Sequence, residues 1–321
     1  LSLSSCIEQC KAAIKYPPNG LPTLLYGANG TGKSFLSKLM YEYGKNENVI
    51  GKDKQYIAVD CTEYAQNTEK FARKLCGEGD GKGWLEKASG GVLFFDEIDR
   101  LSVAGQELIF SYLISGQYRG FHGEDKVFES SARLVFATSK PPGEAIFKAL
   151  ARRIPIVIPV PSLNERTIDE KEEMLVSFLR EEGRRMGVDV SISQNAFHCM
   201  LEYPFENNID GLKACITSSC AGAYMEKNQD GVAVRTYHLP DYMLSRLKLG
   251  TDDRGKRLIH MNSYSKDTSY EQAVSHFQML LDHYQDYVDG RLNFEDLLGE
   301  CQKQLNEYYD YLIYGKKLVN M

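Results

Sequence analysis

The sequence predicts an α/β protein whose first half contains a doubly wound parallel sheet. Five short apolar runs lie within residues 1–161, and each run is continuous rather than alternating. Continuous runs are typical of central parallel strands that helices cover on both faces. Segments with apolar residues at helical spacing separate several of the runs. Together these observations favour a single α/β domain over residues 1–161.

The predicted elements follow in a regular order. Residues 5–14 are predicted to form a helix that ends at the Pro/Gly-rich turn "YPPNGLP". After Ser34, apolar side chains recur at helical spacing and predict a second helix. The predicted strands are "TLLYG", "QYIAVD" (55–60), "GVLFFD" (91–96), "ARLVFATS" (132–139) and "IPIVIPV" (154–160).

Pro161 marks a change in pattern. From about 164 to 226 the apolar spacing is mostly helical, residues 251–269 are polar without periodicity, and a tyrosine-rich helical pattern returns from about 270 to 314. The sequence therefore predicts three regions: an α/β domain over 1–161, a helical domain over 162–250, and a linker with a C-terminal helical segment over 251–321.

Composition narrows the function classes. The net charge of −6 over 321 residues disfavours direct nucleic-acid binding by this chain. No apolar run approaches the ~20 residues of a membrane span, and no secretory signal is present, so we expect a cytoplasmic protein without a membrane partner. The eight cysteines lack the spacing of a zinc site and are expected to be buried, reduced thiols.

The stretch "GANGTGKS" (27–34) fits the phosphate-loop pattern, with a predicted strand before it and a helix after it. Its glycines allow the backbone to wrap a polyphosphate with N–H groups pointing inward. Lys33 would bridge the β- and γ-phosphates, and the Ser34 hydroxyl would bind Mg²⁺. The predicted nucleotide-binding residues are Gly27, Ala28, Asn29, Gly30, Thr31, Gly32, Lys33, Ser34 and Phe35.

A second motif, "VLFFDE", follows about 60 residues later. Asp96 ends a predicted buried strand, where it can hold Mg²⁺ through water. Glu97 can orient the attacking water and take its proton. Acidic residues after apolar strands are common, but their combination with a phosphate loop indicates ATP or GTP hydrolysis rather than binding alone.

Two further groups are candidates for sensing the γ-phosphate. The fourth predicted strand ends in "FATS", which places Thr138 or Ser139 beside the nucleotide. Arg152 and Arg153 precede the fifth strand, where one of them could reach the γ-phosphate of a neighbouring subunit. The alternative for the arginines is a basic pair on the surface.

The order "GANGTGKS … GGVLFFDEID … ARLVFATS … ARRIPIVIPVPSLNER" resembles the AAA+ domain of bacterial sigma-54-dependent transcription activators. The opening "IEQCKAAIKYPPNGLP" and the "RRIP" variant resemble the levan-operon-regulator branch, which is tied to sugar phosphotransferase signalling. The resemblance covers roughly 1–250, and the tail resembles the segment that joins the ATPase of that branch to its regulatory domains.

The resemblance implies an AAA+ P-loop NTPase with a five-stranded parallel sheet, a helical lid domain and a C-terminal helical segment. It implies a hexameric ring that uses ATP and Mg²⁺ to remodel sigma-54 RNA polymerase. Under this resemblance, Arg152 or Arg153 is the arginine finger supplied in trans, Ser139 is the first sensor, and Asp60 is the switch residue that faces Glu97.

Three positions depart from the family pattern. The family usually has Asn at the switch and at the first sensor, where this chain has Asp60 and Ser139. An Asp near Glu97 would add like charge and raise the pKa of one of the carboxyls. In the lid, "NNIDGL" (207–212) places Asp210 where the family usually has an arginine, so the second sensor is absent or elsewhere.

A larger departure is the glycine-rich stretch "CGEGDGKGWLEKASGG" (76–91). The family inserts a loop here that carries GAFTGA and contacts sigma-54. This stretch is shorter and lacks that motif. It also lacks the Lys-Ser/Thr of a second phosphate loop, so we interpret it as a loop cut short. Trp84, at its end, is predicted to pack on the domain rather than contact a partner.

These features leave three hypotheses. The first is an ATP-driven remodeller of the sigma-54 activator type, without its DNA-binding or phosphotransferase-type regulatory domains. The second is a nucleotide-dependent scaffold that assembles with itself but has lost the contact with sigma-54. The third is a clamp-loader or helicase-loader relative that handles DNA, which the acidic chain and Asp210 disfavour.

Overall fold

The structure is a computed structural model that describes residues 3–78, 81–121, 127–227, 231–247, 258–262, 264, 280–281 and 283–303. The chain divides into two compact units. One consists of Leu1–Glu170 and Pro204–Leu212, and the other of Lys171–Tyr203 and Lys213–Met321.

The first unit is built on a five-stranded parallel sheet. Its strand order is β2-β3-β4-β1-β5, and every pairing between neighbours is parallel. The five predicted strands and the α/β class are confirmed. The strands are β1 (Thr23–Tyr26), β2 (Tyr56–Asp60), β3 (Val92–Asp96), β4 (Arg133–Thr138) and β5 (Ile156–Pro159).

Helices cover both faces of this sheet, which explains the continuous apolar runs. Along β3, Leu93 and Phe95 belong to one buried cluster, while Val92 and Phe94 belong to another on the opposite face. The helices are α1 (Leu3–Lys15), α2 (Lys33–Asn46), α3 (Thr68–Cys76), α4 (Trp84–Lys87), α5 (Val103–Ser115), α6 (Pro142–Ala145) and α7 (Lys148–Ala151).

The parallel register brings the carboxyl ends of the strands to one edge of the sheet. Tyr26 is aligned with Thr138, and Asp60 with Asp96. The loops that follow β1, β2, β3 and β4 therefore begin at the same level. This edge is where ligands bind in open α/β sheets.

The glycine-rich stretch after α3 forms a short hairpin. Gly77–Glu78 pairs antiparallel with Gly81–Lys82. Gly77 has a φ of +88°, a conformation that favours glycine. A second hairpin pairs Gln117–Arg119 with Val127–Glu129, and the Phe121 N–H donates a hydrogen bond to the Gly77 carbonyl at 3.0 Å. Sequence reasoning anticipated neither hairpin.

Residues 164–226 are mostly helical, as predicted, but the second unit also contains a small sheet that the sequence did not predict. A three-stranded sheet has the order β7-β6-β8, with β6 parallel to β7 and antiparallel to β8. Its strands are β6 (Val190–Ser193), β7 (Val232–Val234) and β8 (Leu258–His260). Further helices are α8 (Ile168–Met186), α9 (Gln194–Glu202), α10 (Asn208–Tyr224) and α11 (Asp241–Leu247).

The prediction of a linker over 251–269 is wrong at β8, because Leu258–His260 pairs with β6. Residues 251–257, 263 and 265–269 of that predicted linker lie outside the described residues. In the C-terminal segment, residues 283–288 and 294–303 are helical, as predicted. Residues 270–279 and 304–321 lie outside the described part of the chain.

All eight cysteines are in the thiol form, as predicted. Cys76 and Cys301 are half-buried, and the other six are buried. Among the helices that the structure describes, none is both long and apolar enough to cross a membrane.

Trp84 packs on the first unit, as predicted. Its ring meets those of Tyr64 and Phe71 edge to face, with centroid distances of 5.4 and 5.9 Å. Edge-to-face pairs contribute beyond the apolar area that they bury. The hairpin thus ends on a fixed aromatic cluster.

We predict that Trp84→Ala lowers the free energy of unfolding by about 3 kcal/mol, because it leaves a cavity beside the rings of Tyr64 and Phe71. Urea denaturation measures this change. Circular dichroism is the probe, because Trp84 is the single tryptophan of the chain and the variant loses its fluorescence. The control is Val103→Ala, at a side chain that is 57% exposed, with an expected change within about 0.5 kcal/mol. A loss as small as that of the control would contradict the packing role.

Candidate nucleotide-binding site

The glycines of residues 27–34 are required by the shape of the loop between β1 and α2. Gly30 and Gly32 have φ values of +72° and +93°, which strain other residues. A Cβ on Gly27 would lie 2.5 Å from the Val160 carbonyl oxygen. The loop is therefore a backbone surface that other chain segments approach closely.

Lys33 lies inside this loop. Its ammonium donates hydrogen bonds to the carbonyls of Gly27 and Ala28, at 2.8 and 3.0 Å. Burial lowers the pKa of Lys33, and the charges of nearby carboxylates, Glu97 and Asp96 foremost, oppose that shift. The ammonium is thus held where it can exchange loop carbonyls for phosphate oxygens.

Ser34 links the loop to the end of β3. Its hydroxyl donates a hydrogen bond to Asp96 Oδ2 at 2.6 Å. Strand β4 lies between β1 and β3 in the sheet, so this contact spans the position of one strand. A hydroxyl beside a carboxylate offers two hard oxygen ligands, which suit Mg²⁺.

No group of three His, Cys, Asp or Glu side chains within the described residues could hold a metal by itself. Mg²⁺ usually keeps several waters and takes one or two protein carboxylates together with phosphate oxygens. Ser34 and Asp96 fit that kind of shared site, in which the nucleotide supplies the remaining oxygens.

Glu97 has a strained backbone, with a φ of +50°. Such outliers cost of the order of 1–3 kcal/mol and cluster at functional sites. Burial and the charge of Asp99 raise the pKa of its carboxyl, while Lys33 opposes the shift. A carboxylate with a raised pKa is a better proton acceptor near neutral pH.

Asp60 is the last residue of β2, and its carboxylate binds a nearby residue. Its Oδ1 accepts hydrogen bonds from the Thr62 N–H at 2.9 Å and from the Thr62 hydroxyl at 2.6 Å. The leading carboxylates that raise the pKa of Glu97 are Asp99 and Asp96. The like-charge effect expected at Glu97 thus has its main source in the chain segment that carries Glu97 itself.

Asp99 is a residue of this site that sequence reasoning missed. Its side chain is 2% exposed, accepts a hydrogen bond from the Thr138 hydroxyl at 2.9 Å, and pairs with the Lys140 ammonium at 3.1 Å. It therefore ties the end of β3 to the end of β4, directly before the half-buried Ser139. The second Asp in "DEID" was the available signal.

Asp210 lies beside the phosphate loop. Its Oδ2 would be 3.1 Å from a Cβ placed on Gly30, and its charge acts on Lys33. A carboxylate occupies this place, where the family resemblance leads one to expect an arginine.

Arg152 and Arg153 follow α7 and are both exposed. Their backbone N–H groups donate to the carbonyls of Lys148 and Leu150, which closes the helix. The side chain of Phe35, the last of the predicted nucleotide-binding residues, is 67% exposed. The surface that carries these side chains is open to solvent in the single chain.

Comparison with known proteins is consistent with this geometry. Residues 2–154 match the Sigma-54 interaction domain. The transcriptional regulatory protein DagR of Salmonella typhimurium is 36% identical over 99% of this chain and 37% of its own length. The transcriptional regulatory protein LevR of Bacillus subtilis is 30% identical over 75% of this chain and 27% of its own length. The chain thus spans about a third of these relatives.

Solved structures share the fold. NtrX of Brucella abortus, crystallised with ADP, has a TM-score of 0.64 at 18% identity, and the match covers 79% of this chain and 56% of NtrX. The RuvB Holliday junction branch migration motor of Thermotoga maritima has a TM-score of 0.51 at 18% identity, over 78% of this chain and 68% of its own. Residues 2–154 therefore form a sigma-54 interaction domain with the AAA+ fold, and the chain is similar to one part of longer sigma-54-type transcription regulators, as its sequence resemblance implied.

Proposed function

We propose that this chain is a Mg²⁺-dependent ATPase, which converts ATP and water into ADP and phosphate within a sigma-54-type transcription regulator. The observation that carries the proposal is the 2.6 Å contact between Ser34 and Asp96. It joins a phosphate loop to a carboxylate at the site where Mg²⁺ would bridge them. The strained and half-buried Glu97 follows directly.

Each side chain has a distinct role in this proposal. Lys33 gives up the carbonyls of Gly27 and Ala28 and binds phosphate oxygens. Ser34 and Asp96 would hold Mg²⁺, which would neutralise charge on the phosphates. Glu97 takes the proton of the attacking water, a task for which its raised pKa suits it.

The remaining roles concern sensing and assembly. Ser139 is the proposed first sensor, because it follows Thr138, whose hydroxyl is bound by Asp99. Asp60 is the proposed switch residue. We further propose a ring of identical subunits in which Arg152 or Arg153 reaches the γ-phosphate of the neighbour; their exposure supports this. Contacts with DNA and with phosphotransferase-type domains would belong to other parts of a longer regulator.

A second candidate is a nucleotide-dependent scaffold that does not contact sigma-54. The favouring observation is the hairpin of Gly77–Glu78 and Gly81–Lys82, which stands where the family carries GAFTGA. In this short hairpin, charged side chains are the available contacts, and each is worth little at an exposed surface. Trp84, the large apolar residue nearby, is committed to its aromatic cluster.

We predict that nucleotide binding and turnover can be separated. Lys33→Ala should weaken ATP binding by about 10- to 100-fold, because the charge on the phosphates loses its buried partner. Glu97→Gln should keep ATP affinity and lower kcat by about 100-fold or more, because an amide cannot take the proton of water. Calorimetric titration and a steady-state phosphate-release assay measure the two effects.

Two exposed residues serve as controls. Lys38→Ala removes a charge from the same helix as Lys33, and Glu107→Gln neutralises an exposed carboxylate on α5. Neither should change binding or turnover by more than about twofold. Unchanged ATP affinity in Lys33→Ala would remove the basis of the site, and wild-type turnover in Glu97→Gln would assign the proton acceptor elsewhere.

We predict that a shared active site makes hydrolysis depend on assembly. An arginine supplied in trans can be worth ~10³-fold or more in rate. Subunits with Arg152→Ala and Arg153→Ala should be inactive alone, as should Lys33→Ala subunits. Mixing them should restore part of the activity, because the arginines of one subunit complete the phosphate loop of the other.

Lys148→Ala, at an exposed position of α7, is the matched control and should remain active alone. A mixture as inactive as its components, together with specific activity that stays constant from dilute to concentrated protein, would indicate a monomeric ATPase.

We predict that the wild-type chain, trapped with ADP and a metal fluoride, forms no stable complex with sigma-54. The hairpin of Gly77–Glu78 and Gly81–Lys82 has no apolar side chain that could contact sigma-54. Grafting a GAFTGA-bearing loop between Glu78 and Gly81 should restore the complex while keeping the Gly77 carbonyl that Phe121 binds. Analytical gel filtration reports both. A stable complex with the wild-type chain would favour the remodeller over the scaffold.

A further inference from the structure

The outer face of the phosphate loop is held by residues distant in sequence. Three consecutive loop carbonyls each accept a hydrogen bond from a donor more than 130 positions along the chain. All the groups involved belong to the first compact unit. The bonds run from Asn208 Nδ2 to Asn29 O at 2.8 Å, from the Ile209 N–H to Gly30 O at 2.9 Å, and from an Arg166 guanidinium nitrogen to Thr31 O at 2.7 Å.

These bonds fix the direction of the peptide units. In a planar trans peptide, the C=O and N–H groups point in opposite directions. Because the carbonyls of residues 29–31 point toward the outer donors, the N–H groups of residues 30–32 point toward the inside of the loop. Within the described residues these three N–H groups donate to no other chain atom. They are therefore available for an anion.

The burial, backbone conformation and hydrogen bonds of Asn208 fix its side chain against the Asn29 carbonyl. Asn208 is 5% exposed and has a φ of +52°, a conformation that Asn tolerates better than most residues. Its Oδ1 accepts a hydrogen bond from the Leu163 N–H at 2.9 Å, while its Nδ2 donates to Asn29. Although Asn208 begins α10, this side chain bridges two other backbone segments instead of capping its own helix.

Arg166 holds the third of these carbonyls. It is 7% exposed, and its guanidinium donates to the Thr31 carbonyl. Burying a guanidinium is costly unless its donors are used. The backbone before Asn208 also lies close to the loop, because a Cβ on Gly30 would be 2.3 Å from the Asn207 carbonyl oxygen. The loop is thus fixed from outside at Asn29, Gly30 and Thr31 together.

We propose that Asn208, supported by Arg166, is a positioning residue for nucleotide binding, which aims the N–H groups of residues 30–32 at the phosphates. The inference rests on the proposed nucleotide binding. Orientation before binding saves the entropy of ordering the loop and provides donors that need no reorganisation. Loss of the Asn208 donor should therefore reduce affinity for the phosphates without removing any group that touches them.

The test compares Asn208→Asp with Asn207→Asp. The first keeps an acceptor for the Leu163 N–H but sets a carboxylate oxygen against the Asn29 carbonyl. The second adds the same charge one position away, on an exposed side chain. Calorimetric titration with ATP and with ADP should show affinity at least ~10-fold weaker for Asn208→Asp than for Asn207→Asp. Steady-state assays should show a raised KM with a kcat within about threefold of wild type.

The outcomes are distinct. Equal weakening in the two variants would assign the effect to charge and overturn the inference, as would unchanged affinity in Asn208→Asp. A raised KM with retained kcat separates positioning from general loss of structure. If the wild-type chain itself binds neither ATP nor ADP, the proposed function fails, whatever the variants do.

Arg166→Lys provides an independent arm if Asn208→Asp does not fold. It keeps the positive charge but lacks the planar fork that reaches Thr31. We expect ATP affinity to fall by about 5-fold or more, again through KM. Thermal unfolding without nucleotide checks that the variant is folded. Wild-type affinity in folded Arg166→Lys would overturn the role assigned to the outer bonds.

Discussion

The hydrogen bond between Ser34 and Asp96 depends on the strand order, on the parallel sheet and on the helices that cover it. It requires that β1 and β3 end at the same edge although β4 separates them. That arrangement requires a parallel sheet, and a parallel sheet requires helices on both faces. Successive residues of β3, such as Phe94 and Phe95, fill two separate cores, which fixes the strand that ends at Asp96.

The phosphate loop is constrained from two sides at once. On the inner side, Lys33 fills the loop and bonds to its first carbonyls. On the outer side, Asn208 and the residues around it occupy the carbonyls of the next three loop residues. The glycine at position 30 therefore serves two purposes, since it permits a positive φ and leaves room for the backbone of Asn207. Under the proposed function, a loop held in this way would be close to its binding conformation before a nucleotide arrives.

The sequence predicted the elements with strong local patterns, and missed two short hairpins and the contacts between distant residues. Continuous apolar runs identified all five strands of the large sheet, and the spacing of Gly, Lys and Ser placed the loop between a strand and a helix. The small sheet was missed because β6, β7 and β8 are short and lie 24 residues or more apart. Asn208 and Arg166 lie 179 and 135 positions from their partners, and Asp99 meets Thr138 only through the order of the strands. Which of Arg152 and Arg153 acts in trans depends on a second subunit and stays a proposal.

The charges around the loop explain why the direction of the N–H groups matters. The Lys33 ammonium lies among the charges of Glu97, Asp96, Asp99 and Asp210. A polyphosphate entering this site adds further negative charge, and Asp210 stands where an arginine would have helped. In the proposed site, attraction would then come from Lys33, from backbone dipoles and from a Mg²⁺ ion bound with the nucleotide. Lys33 and the dipoles are the part that the fold itself would supply, and the dipoles would attract phosphate because the carbonyls of the loop are held away from it.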